Sequence, residues 1–370
     1  MRIGIDGIVL RGRDAGSLRY FEQLLVGLNE MDLANRHVVF VNRAVLSPAL
    51  IAQCQNLSFQ NVRTSNFIPG AIRQQSYMGW HGYGRLDLLH CPTFVPPFAP
   101  RCKTVTTVFD LTFALYPQTM RFTGRFWWGL LGKNRIQKSD RIISLSDNTK
   151  RDLVKHFSIP EKKIKTIYPA TRSMFGPKAD RRTVKAKYKL PDKYILYVGT
   201  LERRKNIGNL VRAFALAKQR AGFEHLLVLC GKRGWLYDDI FRTVEELHLD
   251  KEVIFLGYVP DEDLPGLYAD ADLFVYLSRF EGFGLPVLEG MACGTPVLTS
   301  NSSSLPEVVG DAGIMVSPDD VERAAAEMAR ILSDSELRAT MVERGLGRAK
   351  FFSPEQFIRQ TLEVYNDAMH

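Results

Sequence analysis

The feature that most constrains the fold of this chain is the alternation of short apolar runs with amphipathic segments. The apolar runs predict buried strands, and the segments between them have helical spacing. Because parallel strands need helical crossovers, this pattern predicts an α/β fold built from doubly wound parallel sheets. We expect strands at Met1–Ile5, His37–Asn42, Leu88–His90, Lys103–Phe109, Arg141–Leu145, Tyr194–Val198, Leu226–Cys230, Val253–Leu256, Leu273–Tyr276, Val297–Thr299 and Gly313–Val316. We expect helices at Leu18–Asn29, Ser146–Phe157, Ile207–Arg220, Tyr237–Leu247, Val287–Ala292, Val321–Ser333, Ser335–Ala349 and Pro354–Met369.

The length of 370 residues exceeds what one hydrophobic core usually supports, so we expect two domains. Pro169–Lys193 is basic, is interrupted by Pro177 and Pro191, and has weak periodicity, which is typical of a linker. The predicted organisation is an N-terminal Rossmann-like domain, a linker, a C-terminal Rossmann-like domain and a closing helix, at residues 1–175, 176–192, 193–352 and 353–370.

The charge is unevenly distributed between the two halves. Residues 1–190 hold 30 Lys and Arg against 12 Asp and Glu, a balance of +18, whereas residues 191–370 hold 19 against 28, a balance of −9. The N-terminal half is therefore predicted to face an anionic partner, either a phospholipid surface or a pyrophosphate-linked substrate. Nucleic acid is disfavoured, because no recognised binding motif accompanies the charge.

The five cysteines are scattered and form no CxxC pair, which favours reduced thiols in a cytoplasmic protein. No stretch is long and apolar enough to span a bilayer, and no signal peptide is evident. We therefore expect a cytoplasmic protein that binds peripherally to the inner face of the cell membrane.

The segment Phe280–Glu289 combines two carboxylates with a Gly-Phe-Gly turn and a proline. It follows a predicted strand, and Pro286 suits the first turn of a helix. Glu281 then lies at a strand tip and Glu289 about one helical turn in, beside backbone N–H groups that attract a phosphate. Carboxylates accept hydrogen bonds from hydroxyl pairs, so the segment predicts a sugar-nucleotide site.

A second segment, Arg203-Arg204-Lys205-Asn206, follows another predicted strand and opens a helix. Arginine can bind a diphosphate bidentately, and lysine supplies a point charge, so Arg204 and Lys205 could assist departure of a diphosphate leaving group. On its own such a turn is more often a solvated basic loop. The downstream glutamates favour the functional interpretation.

These segments resemble family 4 of the retaining nucleotide-sugar glycosyltransferases, especially its mannosyltransferase-like members. Phe280–Glu289 resembles the family's Glu-x7-Glu motif, and Tyr197–Asn206 its diphosphate-binding turn. Leu256–Pro260 and Ser302–Val308 match further segments in the family's order. The resemblance implies the GT-B fold, in which two doubly wound domains face each other across a cleft and the last helix often returns to the N-terminal domain.

The resemblance also implies roles for individual residues. Glu281 would contact the donor sugar and Glu289 the ribose, with backbone groups from Gly282, Phe283, Gly284 and Leu285 near the diphosphate. The donor site would further include Gly16, Gly199, Thr200, Arg204, Lys205 and Val259, and the catalytic set would be Glu281, Arg204, Lys205 and Asp110. No cofactor and no metal are implied, and GDP-mannose is the first choice of donor.

Three positions depart from the family pattern. Thr200 stands where many members have an arginine, and Phe109 stands where they have a histidine before Asp110. The loop before the first helix has single glycines, Gly12 and Gly16, where relatives often have a pair.

Two further motifs have alternative interpretations. Asp270-Ala271-Asp272 imitates a metal-binding Asp-x-Asp motif, but we interpret it as the end of a helix and the start of a buried strand. Arg121–Lys138 mixes aromatic residues with cations, which suits either a membrane surface or an ordinary core helix.

The predicted function is transfer of a hexose, mannose first, from a nucleoside diphosphate sugar to a glycan or lipid-linked saccharide acceptor. A GT-B nucleotide-sugar epimerase and a non-catalytic sugar-nucleotide-binding protein remain as alternatives.

Overall fold

The computed structural model describes residues 1–10, 16–62, 85–92, 96–97, 100–116, 132–234 and 238–370. The chain divides into two compact units, one formed by residues 1–170 with 354–370 and the other by residues 171–353. Each unit is built on a parallel sheet, which confirms the predicted α/β class.

The described strands are β1 (Arg2–Asp6), β2 (Arg36–Val41), β3 (Leu57–Asn61), β4 (Leu88–Cys91), β5 (Lys103–Val108), β6 (Arg141–Ser144), β7 (Ile164–Thr166), β8 (Tyr194–Val198), β9 (Leu226–Cys230), β10 (Val253–Gly257), β11 (Leu273–Tyr276), β12 (Val297–Ser300) and β13 (Ile314–Val316). The described α-helices are α1 (Gly16–Met31), α2 (Pro48–Gln53), α3 (Thr112–Leu115), α4 (Lys133–Lys138), α5 (Asp147–Phe157), α6 (Arg181–Tyr188), α7 (Ile207–Ala221), α8 (Asp238–Glu246), α9 (Leu264–Asp270), α10 (Leu285–Ala292), α11 (Leu305–Val309), α12 (Val321–Ser333), α13 (Ser335–Phe351) and α14 (Pro354–Met369).

The first unit has the strand order β3-β2-β1-β4-β5-β6-β7. Strands β1, β2 and β6 are buried along most of their length, as expected for a parallel sheet covered by helices on each side. The side chain of Ser146 accepts a hydrogen bond from the Thr149 N–H at 3.0 Å and so caps the start of α5.

The closing helix α14 belongs to the first unit and packs on α1. A Cβ atom at Gly27 would lie 2.2 Å from Cγ1 of Ile358, so only glycine allows this close approach. At the sheet, the buried His90 ring joins the Tyr365 hydroxyl at 2.6 Å to the Thr107 hydroxyl at 2.8 Å. Burial lowers the pKa of His90 to about 3, so its ring is neutral in the folded protein.

The second unit has the strand order β10-β9-β8-β11-β12-β13. Successive strands are added outward from β8 in one direction and from β11 in the other. The order therefore reverses between β8 and β11, and crevices for ligands form at such switch points, beyond the carboxyl ends of the strands.

Several short elements were not predicted from the sequence. Strand β3 is largely polar, and β7 has three residues, so neither has the apolar run that marks a buried strand. Helix α6 lies in the segment interpreted as a linker, and its only fully buried side chain is Val184. That side chain packs on α9 at Gly266, where a Cβ would lie 2.6 Å from Cγ2 of Val184.

Candidate active site

The candidate site lies at the carboxyl ends of β8 and β11, the two strands at the switch point of the second sheet. These strands pair in parallel, with Leu273 opposite Ile195 and Phe274 opposite Leu196. The chain leaves β8 through Gly199 and forms a 3-10 turn over Arg203–Lys205. It leaves β11 through a loop that carries Glu281. The pairing of β8 with β11 therefore places Arg204 and Lys205 close to Glu281.

Lys205 and Glu281 form a direct ion pair. The Lys205 ammonium donates to the two carboxylate oxygens of Glu281 at 2.7 and 2.9 Å and to the Tyr276 hydroxyl at 2.7 Å. The Tyr276 hydroxyl donates in turn to Oε1 of Glu281 at 3.0 Å. The side chains of Lys205 and Glu281 are only 11% and 9% exposed, so the pair is held largely away from water.

Arg204 lies on the other side of the same carboxylate. Its Nη1 is 3.3 Å from Oε2 of Glu281 and donates to the Phe280 carbonyl, while Nη2 donates to Glu202 at 2.6 Å. Two cations thus contact the Glu281 carboxylate. One of them, Arg204, also contacts the carboxylate of Glu202, which is more exposed.

The electrostatics of the pair follow from this geometry. Burial opposes ionisation of Glu281, but Lys205 and Arg204 outweigh that effect and lower its pKa to about 2. The pKa of Lys205 is also lowered, first by burial and then by the Arg204 charge, against the opposing attraction of Glu281. Glu281 is therefore ionised at neutral pH, and Lys205 loses its proton more readily than an exposed lysine.

Asn206 fixes the basic turn to the opposite loop. It adopts a left-handed conformation with φ of 59°, which asparagine tolerates better than most residues. Its side-chain amide donates to the carbonyls of Leu277 at 3.1 Å and Pro318 at 2.6 Å. The Arg279 N–H also donates to the Arg204 carbonyl at 3.1 Å. The cations are therefore held in place before any ligand arrives.

The backbone at Gly199 is approached closely by the end of β9, where only glycine fits. A Cβ on the neighbouring Gly231 would lie 1.9 Å from the Gly199 carbonyl oxygen, and both glycines have φ near 155°. The Gly199 N–H bonds to the Cys230 carbonyl at 2.9 Å, which extends the pairing of β8 and β9 by one residue. Thr200, the next residue, is exposed on this edge.

The Gly-Phe-Gly turn leads directly into α10. Gly284 has φ of 112°, and a Cβ there would lie 2.6 Å from the Leu305 side chain, so the position requires glycine. Gly282 and Phe283 are buried, and Leu285 is the first residue of α10, with a proline following. Backbone N–H groups in the first turn of a helix lack intrahelical partners and favour anions.

Glu289, one turn into α10, has its own set of partners. It accepts a hydrogen bond from the Tyr268 hydroxyl at 3.1 Å, and its other oxygen lies 3.6 Å from Nη2 of Arg172. Nη1 of Arg172 donates to Asp261 at 2.6 Å, two residues after the buried Val259. The structure therefore groups Arg204, Lys205 and Glu281 in one cluster and Glu289 in a second cluster of the same unit.

The two remaining candidates, Gly16 and Asp110, belong to the first unit. Gly16 is the exposed first residue of α1, and the rest of its loop, residues 11–15, lies outside the described residues. Asp110 accepts a hydrogen bond from the Thr112 N–H at 2.8 Å, which caps the start of α3. Most of the aromatic and cationic run Arg121–Lys138 also lies outside the described residues, up to position 131.

The Asp-x-Asp sequence is engaged in structural contacts. Asp270 ends α9 and lies 3.6 Å from Lys185, and Asp272 accepts a hydrogen bond from the Tyr194 N–H at 3.2 Å. In the described part of the chain, no three His, Cys, Asp or Glu side chains are grouped as a metal site.

Several residues that surround the site have no sequence signal that assigns them a role. Tyr276 was interpreted only as part of a buried strand, although a hydroxyl at a strand tip can reach a loop. Ser303 and Ser304 belong to a run that matched the family, but their contacts with the Glu281 loop depend on the packing of β12 beside β11.

The chain is similar in sequence to known glycosyltransferases. Residues 180–348 match the family described as glycosyl transferases group 1, and residues 55–172 match glycosyltransferase family 4. O-antigen chain mannosyltransferase B of Escherichia coli is 39% identical over 282 residues, covering 75% of this chain and 74% of that protein. Serotype-specific mannosyltransferase WbdA of Escherichia coli is 33% identical over 224 residues, covering 59% of this chain and 28% of that longer protein.

A solved structure of Anabaena HepE in complex with UDP-glucose superimposes with a TM-score of 0.77 at 17% identity, covering 99% of this chain and 100% of that one. The two doubly wound parallel sheets, together with this superposition, identify the fold as GT-B. The chain belongs to the family 4 glycosyltransferases, and it acts on a nucleotide-sugar donor. Both the predicted family and the predicted enzyme class are confirmed.

Proposed function

We propose that this glycosyltransferase transfers mannose from GDP-mannose to a growing, lipid-linked polysaccharide, with retention of the anomeric configuration. The observation that supports mannose most directly is the 39% identity to an O-antigen chain mannosyltransferase over three quarters of both chains. The two buried clusters of the second unit supply the groups that such a donor needs.

Lys205 and Arg204 are proposed to neutralise the diphosphate as it leaves. Negative charge increases on that group when the bond to the sugar breaks, so fixed cations favour the transition state over the bound donor. Because Asn206 and the Arg279 backbone already hold the turn, little reorganisation is needed at that moment. This supports transfer without a metal ion.

Glu281 and Glu289 are proposed to bind hydroxyl groups at the two ends of the donor. Glu281 is ionised and held by cations, so it remains a strong acceptor for hydroxyls of the transferred sugar. Glu289, positioned by Tyr268 and Arg172, would accept hydrogen bonds from the ribose. Gly199, Thr200 and Val259 would border the nucleotide, and Gly16 is proposed as a donor-binding residue of the first unit.

Retention of configuration is proposed to follow from proton transfer on one face of the sugar. The acceptor hydroxyl would give its proton to the departing phosphate oxygen, so no separate general base is needed. Asp110 is proposed as an acceptor-side residue that keeps the turn after β5 in shape through its bond to Thr112.

A peripheral site for an anionic membrane is proposed on the first unit. Residues 132–166 hold ten Lys and Arg against four Asp and Glu. The Lys133 ammonium donates a hydrogen bond to the His156 carbonyl at 3.2 Å, and the Lys163 ammonium donates one to the Gln137 carbonyl at 3.2 Å. These bonds connect α4 to the end of α5 and to the segment before β7. We call the exposed cations of these elements the basic surface: Lys133, Lys138, Arg151, Lys155 and Lys162. No helix in the described ranges has the length and apolarity to cross a bilayer.

A thermal-shift panel of nucleotides tests the donor assignment. GDP and GDP-mannose should raise the melting temperature more than UDP-, dTDP- and ADP-sugars at equal concentration, because a ligand that binds the folded state stabilises it by mass action. A larger shift with a uridine donor would contradict the guanine assignment.

A further inference from the structure

Four side-chain hydroxyls on one loop hold the backbone of the loop that carries Glu281. The donors lie at the end of β12 and in the turn before α11, and their acceptors are carbonyls between β11 and α10. Ser300 and Ser302 donate to the Ser278 carbonyl, Ser302 at 3.0 Å. Ser303 donates to the Glu281 carbonyl at 2.6 Å and accepts from the Glu281 N–H at 3.1 Å.

Ser304 makes the most constraining contact of the four. Its hydroxyl lies 3.0 Å from the Glu281 carbonyl and 2.7 Å from the Phe283 carbonyl, and the side chain is fully buried. Two carbonyls that are two residues apart therefore converge on one oxygen. In an extended segment, the carbonyls of residues two apart are separated by about 6.6 Å, so this loop is more tightly curved than a strand.

The convergence of the carbonyls fixes the direction of two N–H groups. In a trans peptide, the N–H of one residue points opposite to the carbonyl of the residue before it. The N–H groups of Gly282 and Gly284 are therefore both turned away from Ser304. Among the described residues neither N–H has a hydrogen-bond partner, although both glycines are buried. Buried backbone donors are seldom left unpaired, so this pair marks a position for an anionic ligand atom.

We propose that Ser304 is a positioning residue that aims the Gly282 and Gly284 N–H groups at the phosphate nearest the transferred sugar. Ser303 supports the same loop by fixing the peptides on both sides of Glu281. The pair of N–H groups acts with Lys205 and Arg204, as preorganised donors act on a developing negative charge. This inference rests on the proposed function only in requiring a nucleoside diphosphate, and it does not depend on which base or sugar is bound.

The test compares binding of a nucleoside diphosphate with binding of the corresponding monophosphate, using isothermal titration calorimetry. The probes are GDP and GMP, or UDP and UMP if only uridine nucleotides bind the wild-type protein. Ser304→Ala should weaken diphosphate binding about tenfold and leave monophosphate binding within about twofold, since only the outer phosphate meets the two N–H groups. With the sugar donor, kcat should fall more than KM rises.

Three controls separate positioning from stability. Ser304→Thr keeps the hydroxyl and should keep the wild-type ratio of the two affinities. Ser303→Ala keeps the hydrogen bond from Ser304 to the Phe283 carbonyl and should therefore reduce diphosphate affinity less than Ser304→Ala does. Ser333→Ala removes a hydroxyl from the exposed end of α12 and should change neither affinity. An equal loss for both nucleotides in Ser304→Ala, or no loss in any folded variant, would overturn the proposal. If GDP-mannose fails as donor while UDP binding shows the expected ratio, only the donor assignment is lost.

Discussion

Lys205 and Glu281 are 76 positions apart in the chain and meet in a nearly dry contact. A buried ion pair contributes little net stability, because desolvation of both charges offsets their attraction. A role in binding or catalysis explains the pair better, because groups with strongly shifted pKa values concentrate at functional sites. The Tyr276 hydroxyl and Arg204 contact the same carboxylate, so Glu281 has fixed polar partners besides Lys205.

Substitutions within the ion pair should separate binding from turnover. Lys205→Ala should weaken nucleoside diphosphate binding and lower kcat/KM by about 10²–10³, because it removes a preorganised cation. Lys193→Ala, which breaks an exposed pair with Glu224, should leave both unchanged. Steady-state kinetics and calorimetry give the two quantities, and normal turnover in Lys205→Ala would exclude the residue from catalysis.

Glu281→Gln should lower turnover without weakening the binding of the nucleoside diphosphate. The change removes a negative charge that competes for Lys205 and Arg204, so affinity for the free nucleoside diphosphate should stay equal or increase. Turnover should fall about 10–100-fold, since a charged hydrogen bond to a sugar hydroxyl contributes roughly 1.5–3 kcal/mol. Wild-type kcat in Glu281→Gln would show that the carboxylate does not contact the sugar.

The lowered pKa of Lys205 predicts an alkaline limit to activity. Lysine must be protonated to hold the diphosphate, and it loses that proton as the pH rises through its pKa. A profile of kcat/KM against pH should therefore decline at a pH below the ordinary lysine value of about 10.4. Lys205→Arg should move the decline upward, because arginine does not titrate in this range. Profiles that coincide for the two proteins would rule out Lys205 as the titrating group.

At the scale of elements, the sequence predicts those parts of the fold that have a strong local signal. The strands on which Lys205 and Glu281 depend are short apolar runs, and both loops contain residues with specific backbone requirements, such as Gly284. Helix α6 and strand β3 could not be predicted, because their few buried side chains depend on packing against distant segments. The contacts of Ser303 and Ser304 could not be predicted for the same reason, since they require the register between β11 and β12.

The contact between α1 and α14 gives a test of the first unit's packing. Gly27→Ala should destabilise the protein by about 1–3 kcal/mol through overpacking against Ile358, despite the better helix propensity of alanine. Gly347→Ala, in α13 with no atom near the added methyl, should be neutral or stabilising. Thermal melts of both variants give the comparison.

A second substitution checks the cause of that effect. In the Gly27→Ala background, Ile358→Val removes Cδ1, which would lie 2.4 Å from the added Cβ, and should cost less than it does in the wild-type protein. Strict additivity of the two changes would show that Ile358 is not the residue that resists the methyl group.

On the scale of the whole molecule, the uneven charge predicts an anionic partner for the first unit, whereas the residues proposed to bind the diphosphate, Arg204 and Lys205, lie in the second. Each Lys or Arg close to an anionic bilayer contributes about 1 kcal/mol, and salt screens this attraction. Sedimentation with phosphatidylglycerol vesicles should therefore show binding at low salt that is lost at high salt and absent with phosphatidylcholine. The combined changes Arg151→Glu, Lys155→Glu and Lys162→Glu should abolish it.

A charge-matched control makes that experiment specific to the basic surface. Lys178→Glu, Lys251→Glu and Lys350→Glu change the net charge equally, but all three lie on the second unit. This triple variant should sediment with vesicles as the wild-type protein does. Equal loss of binding in both triple variants would show that net charge, rather than the basic surface, governs association.

The most direct measurement is the anomeric configuration and identity of the sugar transferred by the purified protein. GDP-α-mannose and a lipid-linked or synthetic mannoside acceptor are incubated with excess EDTA, and the product is examined by mass spectrometry and proton NMR. We predict addition of one or more hexose units in α linkage, with this activity lost in Lys205→Ala. Formation of a β linkage, a requirement for added divalent metal, or transfer only from a different nucleotide sugar would contradict retaining, metal-independent mannosyl transfer at the Lys205–Glu281 site.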